Sequence, residues 1–259
     1  MTDHKPLLMK LGTAEDGTNF NLDLRETNGL LITGRTGSGK TMLIWNIILE
    51  LAKKFSPCES EITIIDIMGV DYGCWNDLPH LRKPIVRMNH KGAFSVILTF
   101  CNEILERHLA MREENKQLNH KMSNKFLVID EYCDLIWYCM ESKIDVNMIE
   151  HCFDTITKLG PTVGVYLIMG TQRIVPEIIT TTISKAFNTH ISFQTRDKEE
   201  SILAIGIEGA EELNPCGQTM VRLSNNQIKY LQTLYTSDVQ IEDFIRQEKY
   251  KGGKNECAE

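Results

Sequence analysis

The sequence predicts an α/β domain with a mostly parallel central sheet flanked by helices. Three observations carry this. Short apolar runs, several rich in β-branched residues, recur at Leu30–Thr33, Ile62–Ile67, Phe126–Ile129, Val165–Met169, His190–Gln194 and Thr219–Leu223. Helix-period patterns separate most of them, and such alternation favours parallel strands covered on both faces. The first run also opens directly into a glycine-rich stretch followed by a long apolar helix pattern.

In chain order, the first thirty residues hold apolar pieces broken by turn chemistry (Gly12, Asp16-Gly17, Asn19, Asn28-Gly29) and read as a small hairpin feeding a strand. Leu30–Thr33 suits a buried parallel strand, and Met42–Phe55 is apolar around most of its circumference, as a buried helix is. Phe94–Met111 carries Val96, Ile97, Phe100, Cys101, Ile104 and Leu105 at spacings of three and four, a helical stripe. Glu113–Lys125 reads as a polar, exposed linker. Met148–Leu159 and Ile178–Phe187 are further helices, and Ser237 with Gln240 three residues on forms a capping box opening a last helix through Ile245. The tail from Lys251 is polar and expected to be disordered. The division expected is a β-rich extension over 1–28, a nucleotide-binding domain over 29–238 and a C-terminal helix with tail over 239–259.

Composition narrows the function classes. A chain of 259 residues with 42% hydrophobic and 24% charged residues is an ordinary globular sequence. It has no apolar run near the about 18 residues of a membrane span and no leader pattern, so a cytoplasmic location is expected, with any membrane work done through a partner. Eight cysteines without a C-x-x-C pair and seven histidines without H-E-x-x-H give no zinc signature. The cysteines read as small hydrophobes of a reducing compartment. The net charge of −7 counts against general nucleic-acid binding unless basic residues are concentrated in a channel.

The glycine-rich stretch carries the strongest chemistry. Gly34-Arg35-Thr36-Gly37-Ser38-Gly39-Lys40-Thr41 fits G-x-x-x-x-G-K-[ST] without a mismatch. Glycines let backbone N–H groups curl around phosphate oxygens, and the following helix presents its positive end. Lys40 would reach the β- and γ-phosphates and the Thr41 hydroxyl would ligate magnesium, so ATP with Mg2+ is the expected ligand.

Phe126-Leu127-Val128-Ile129-Asp130-Glu131 delivers two carboxylates to the sheet edge where ligands bind in open α/β folds. Asp130 would hold the magnesium shell and Glu131 would orient the attacking water, which points to hydrolysis. Val165–Met169 runs into Gly170-Thr171-Gln172-Arg173, placing Gln172 to sense the γ-phosphate; Asp66 is a further strand-end polar group. An arginine in cis or in trans usually completes this chemistry, and Arg173 and Arg196 are the post-strand candidates, Arg196 favoured; Arg35 lies within the P-loop itself.

With these strand ends placed, the chain resembles the motor domain of the FtsK/SpoIIIE family over roughly residues 7–238. Ile64-Ile65-Asp66 with Gly69-Val70-Asp71, the turn Leu78-Pro79-His80-Leu81, and Glu106-Arg107 are similar to the family's pattern. So are the run Gly164 to Arg173, Val175 to Ile179 with Ile183, Ile191 to Gln194, and Gly209 to Leu213. The resemblance implies a RecA-like P-loop NTPase fold, a ring, expected to be a hexamer, with ATP at subunit interfaces, and a substrate threaded through the centre. It also implies that the loops after Gln172 and near Arg196–Ser201 face that channel or a neighbouring subunit. The chain departs at Met68, where the family usually has lysine, and at Ile202, near its usual arginine. No winged helix follows residue 238, and a bare motor is expected.

Three functions stay open at this level. A translocase for double-stranded DNA, in segregation or conjugative transfer, is favoured by the Thr-Gln-Arg segment and by residues 178–194. A type VII-like protein-secretion ATPase is favoured by the acidic charge and the missing winged helix. A nucleotide-dependent scaffold is opposed by intact Lys40, Thr41, Asp130 and Glu131.

Overall fold

In the computed structural model, which describes residues 6–113 and 123–252, the strands are β1 (Leu8–Ala14), β2 (Asn19–Asp23), β3 (Leu30–Thr33), β4 (Ser60–Asp66), β5 (Val86–Arg87), β6 (Asn124–Ile129), β7 (Val165–Thr171), β8 (Thr189–Ser192), β9 (Gln218–Arg222) and β10 (Ile228–Thr233). The helices are α1 (Lys40–Lys54), α2 (His90–Glu113), α3 (Tyr132–Glu141), α4 (Val146–Leu159), α5 (Thr181–Ala186), α6 (Lys198–Ile205) and α7 (Asp238–Gly252). All ten strands share one sheet in the order β2-β1-β10-β9-β8-β3-β7-β6-β4-β5. From β8 to β5 every pairing is parallel, and from β8 outward to β2 every pairing is antiparallel.

Period-two alternation explains the layers. Leu30, Ile32, Ile62, Ile64, Phe126, Val128 and Ile168 turn to one face and pack with α1 residues such as Leu43, Ile47 and Leu51. Leu31, Ile65, Leu127, Ile129, Leu167 and Met169 turn to the other, under α2 to α5. These side chains are essentially solvent-free. Burial of each contributes about 1.5–3 kcal/mol, which is why both faces of the parallel strands must be apolar.

The sequence expectations meet the structure with specific corrections. α1 starts at Lys40 rather than Met42, and α2 exceeds its expected span at both ends. β5, β10, α3 and α6 were not anticipated: β5 is two residues long, β10 is half exposed, and α3 and α6 follow strand ends whose polar residues read as loop. The capping box at Ser237 forms, with the Ser237 N–H donating to Gln240 Oε1 at 2.9 Å, and its helix continues past Ile245 to Gly252. Lys125 is no linker residue; it lies in β6, buried, 3.2 Å from Glu61. The rest of that linker between 114 and 122, and the tail beyond 252, lie outside the described residues. Cys101, Cys133, Cys139 and Cys152 are free and buried, as small hydrophobes are.

Two features quoted for the resemblance hold the scaffold. His80 Nε2 lies 2.7 Å from the Phe55 carbonyl, tying the Leu78–Leu81 turn to the end of α1. Arg107, buried, donates to the Val163 carbonyl at 2.8 Å and to that of Ser123 at 3.1 Å. Among the described residues no helix is long and apolar enough to cross a membrane.

Candidate nucleotide site at the sheet edge

The parallel strands β3, β7 and β6 end side by side; β3 and β7 end in Thr33 and Thr171, and β6 leads directly into Asp130. β3 passes into the loop 34–39, which Gly39 closes in the left-handed region at φ 114° before α1 begins at Lys40. A side chain at Gly39 would be strained there, and its Cβ would sit 3.0 Å from the Phe193 ring. The loop is anchored by its neighbours: Gly34 N–H donates to Thr171 O at 3.3 Å, Arg35 N–H to Gln194 O at 3.2 Å, and Gly217 N–H to Ser38 O at 3.2 Å. The Ser38 hydroxyl is buried without a hydrogen-bond partner.

Lys40 is buried and donates to the main-chain oxygen of Asp130 at 2.9 Å and to its Oδ1 at 3.2 Å. The same Oδ1 accepts from the Tyr72 hydroxyl at 3.0 Å. Gly170 is what lets β7 pass this point, since a Cβ there would meet the Asp130 carbonyl at 2.4 Å.

Glu131 caps α3, accepting from Cys133 N–H at 3.2 Å. Its carboxylate also accepts from the Thr171 hydroxyl at 2.8 Å and from Gln172 N–H at 2.9 and 3.1 Å. Burial raises its pKa above the ordinary carboxylate value, partly offset by the Lys40 charge and these donors. Gln172 turns its side chain to the P-loop, where Thr36 Oγ1 donates to Oε1 at 2.6 Å. One chain of contacts therefore runs from Thr36 through Gln172 to Glu131.

Asp66 is solvent-free; Oδ1 accepts from Gly69 N–H at 2.9 Å, and Oδ2 has no hydrogen bond, with Arg87 Nε 3.7 Å away. The arginine candidates lie elsewhere. Arg196 pairs with Glu200 at 3.7 Å and is 69% exposed, and the Arg173 guanidinium sits 5.8 Å from the centre of the Trp137 ring.

Thr41 lines a crevice of about 220 Å³ together with Arg35, Thr36, Lys40 and Gln172. Beside it a cavity of about 400 Å³ opens between Gly37 and Met42 on one side and Cys216, Gln232 and Tyr235 on the other. Sequence reasoning missed this second wall, because it depends on β9 and β10 folding back over the P-loop. It also missed Tyr72, whose hydroxyl carries no motif, and it quoted Thr171 within the Thr-Gln-Arg segment without a role for its hydroxyl.

The comparisons with known proteins agree with one another. A model of the FtsK/SpoIIIE family matches residues 1–156. DNA translocase SftA of Bacillus subtilis is 29% identical over 94% of this chain and 26% of its own length. DNA translocase FtsK of Clostridium tetani is 30% identical over 81% of this chain and 29% of its own. The chain thus spans under a third of these relatives' length. The conjugation coupling protein TcpA of pCW3, solved with ATPγS, superposes with a TM-score of 0.81 at 20% identity, over 95% of this chain and 72% of that one. The type VII secretion ATPase EccC of Thermomonospora curvata superposes at 0.78 and 20% identity, over 96% of this chain and 32% of that one. Both superpositions show the RecA-like P-loop ATPase fold.

Proposed function

The chain belongs to the FtsK/SpoIIIE family, and from that premise we propose that it is an ATP-driven motor that moves double-stranded DNA. One observation carries the reading: Lys40, Asp130, Gln172 and Glu131 converge at one sheet edge beside an open crevice. A nucleotide-binding scaffold has no need of a glutamate joined to the P-loop through Gln172.

In this reading the loop of Gly34, Arg35, Thr36, Gly37, Ser38 and Gly39 cradles the phosphates, with Thr36 and Gly37 presenting their N–H groups, while those of Arg35 and Ser38 are spent on the Gln194 and Arg35 carbonyls and hold the loop's shape; the cavity beside Met42 takes the base. The donor set fits Mg2+: a threonine hydroxyl and a carboxylate, all oxygen, beside a buried Ser38 hydroxyl lacking a partner. Thr41 and Asp130 would hold the ion, which when bound neutralises charge on the phosphates. Lys40 exchanges Asp130 for phosphate oxygens when the triphosphate enters. Glu131 has both oxygens engaged, so it orients water only after the Gln172 segment shifts, and Gln172 couples that shift to the P-loop. Arg196, whose side chain is exposed, would serve a neighbouring subunit in a hexameric ring. Work in the cytoplasm, with a membrane-anchored partner supplying any recruitment, fits a chain whose described helices do not span a bilayer.

The net charge of −7 favours a second reading, a protein-secretion ATPase. Steady-state ATPase activity at low salt, with and without long double-stranded DNA and with Glu131→Gln as control, separates the two. Stimulation by DNA that fades as salt rises supports the DNA motor. Basal activity indifferent to DNA supports the secretion motor.

A further inference from the structure

We propose that Tyr72 is a positioning residue for Asp130, holding the carboxylate in place for the nucleotide-bound cation when Lys40 leaves it. The inference rests on the nucleotide-site reading given above.

Tyr72 sits in the loop after β4 and is fully buried. Its ring meets Trp45 of α1 edge-to-face at 6.2 Å, and Trp45 meets Trp75 in the same way at 6.4 Å. Its main chain is fixed as well, since Arg87 Nη2 donates to the Tyr72 carbonyl at 2.9 Å. The hydroxyl is therefore delivered by a rigid frame to Asp130 Oδ1, 3.0 Å away. A phenylalanine would fill the same aromatic space, so packing alone does not call for the oxygen; a buried phenol needs a partner, and here the partner is the carboxylate.

Oδ1 accepts from two donors, Lys40 and Tyr72. They differ in what nucleotide does to them. Lys40 is on the P-loop helix and is needed at the phosphates. Tyr72, fully buried and held against Trp45, keeps its bond. With Tyr72 on Oδ1 the carboxylate cannot rotate freely once Lys40 has gone, and its other oxygen is kept for the cation. Groups that orient metal ligands in this way typically carry about 10- to 100-fold in metal affinity.

The test is Tyr72→Phe, read by fluorescence anisotropy of a labelled ATP analogue titrated with Mg2+, with a baseline in EDTA. The expected result is an unchanged affinity in EDTA and a half-maximal Mg2+ concentration raised about tenfold. Adding Asp130→Asn should abolish that difference between Tyr and Phe at 72. Thermal melting keeps the result interpretable by showing that Tyr72→Phe is folded. An unchanged Mg2+ half-point, or an equal loss of affinity with and without Mg2+, overturns the proposal while leaving the nucleotide site standing. Absence of nucleotide binding by the unmodified protein overturns the site reading and this inference with it.

Discussion

Lys40 and Asp130 form a buried ion pair at 3.2 Å, each side chain only 3% exposed, ninety residues apart in sequence. The contact joins the start of the P-loop helix to the residue that follows β6. Lys40→Ala removes one partner of this pair and leaves a buried carboxylate without its cation, which costs about 3 kcal/mol. The variant should lose nucleotide binding in a fluorescent-analogue titration and also unfold at lower denaturant concentration. Asp130→Asn in the same background should recover part of the stability and none of the binding.

Glu131→Gln should bind ATP with an affinity near that of the parent and turn over at least about a hundredfold more slowly, the scale of a lost general base. Equilibrium binding and single-turnover hydrolysis on the same preparation check both halves. Hydrolysis at the parent rate would remove Glu131 from the mechanism.

Gln172→Ala cuts the contact between Thr36 and the segment that anchors Glu131. Hydrolysis should fall about tenfold or more while ATP affinity changes only a few-fold, because the phosphates are held by the P-loop backbone. An equal loss in both would make Gln172 a binding residue instead.

Asp71 supplies a pH-dependent outcome. Burial first, then the Asp130 and Asp66 charges, raises its pKa above 3.8. Its ionised form therefore carries a cost in the native state that is absent at pH below 3.8 and grows as pH rises through the folded-state value. Asp71→Asn removes that cost. Its melting temperature should exceed the parent's at pH 7, and the gap should close as pH falls toward 3.8.

Arg196→Ala, if the arginine serves a neighbouring subunit, should lose ATPase activity and depress the activity of unmodified subunits when mixed with them. Activity that declines only in proportion to the fraction of variant would assign Arg196 to its surface pair with Glu200.

The sequence by itself determined the parts whose signal is local. Gly34–Thr41 reads as a phosphate cradle because its spacing matches the chemistry, and Asp130-Glu131 reads as strand-end acid because four apolar residues precede it. Continuous apolar runs over residues 126–129 and 165–169 likewise specified strands buried on both faces. Tertiary structure alone decided what these parts touch. Pairing between parallel strands is non-local, and no residue in β7 announces that it lies between β3 and β6. That insertion places Thr171 and Gln172 between Thr36 and Glu131, and a neighbouring crossover loop brings the Tyr72 hydroxyl to Asp130. β10 was illegible because half of its side chains are exposed and its sequence carries no apolar run, yet it walls the cavity beside the P-loop. Residue chemistry is written along the chain; its partners are set by strand order, which local patterning leaves open.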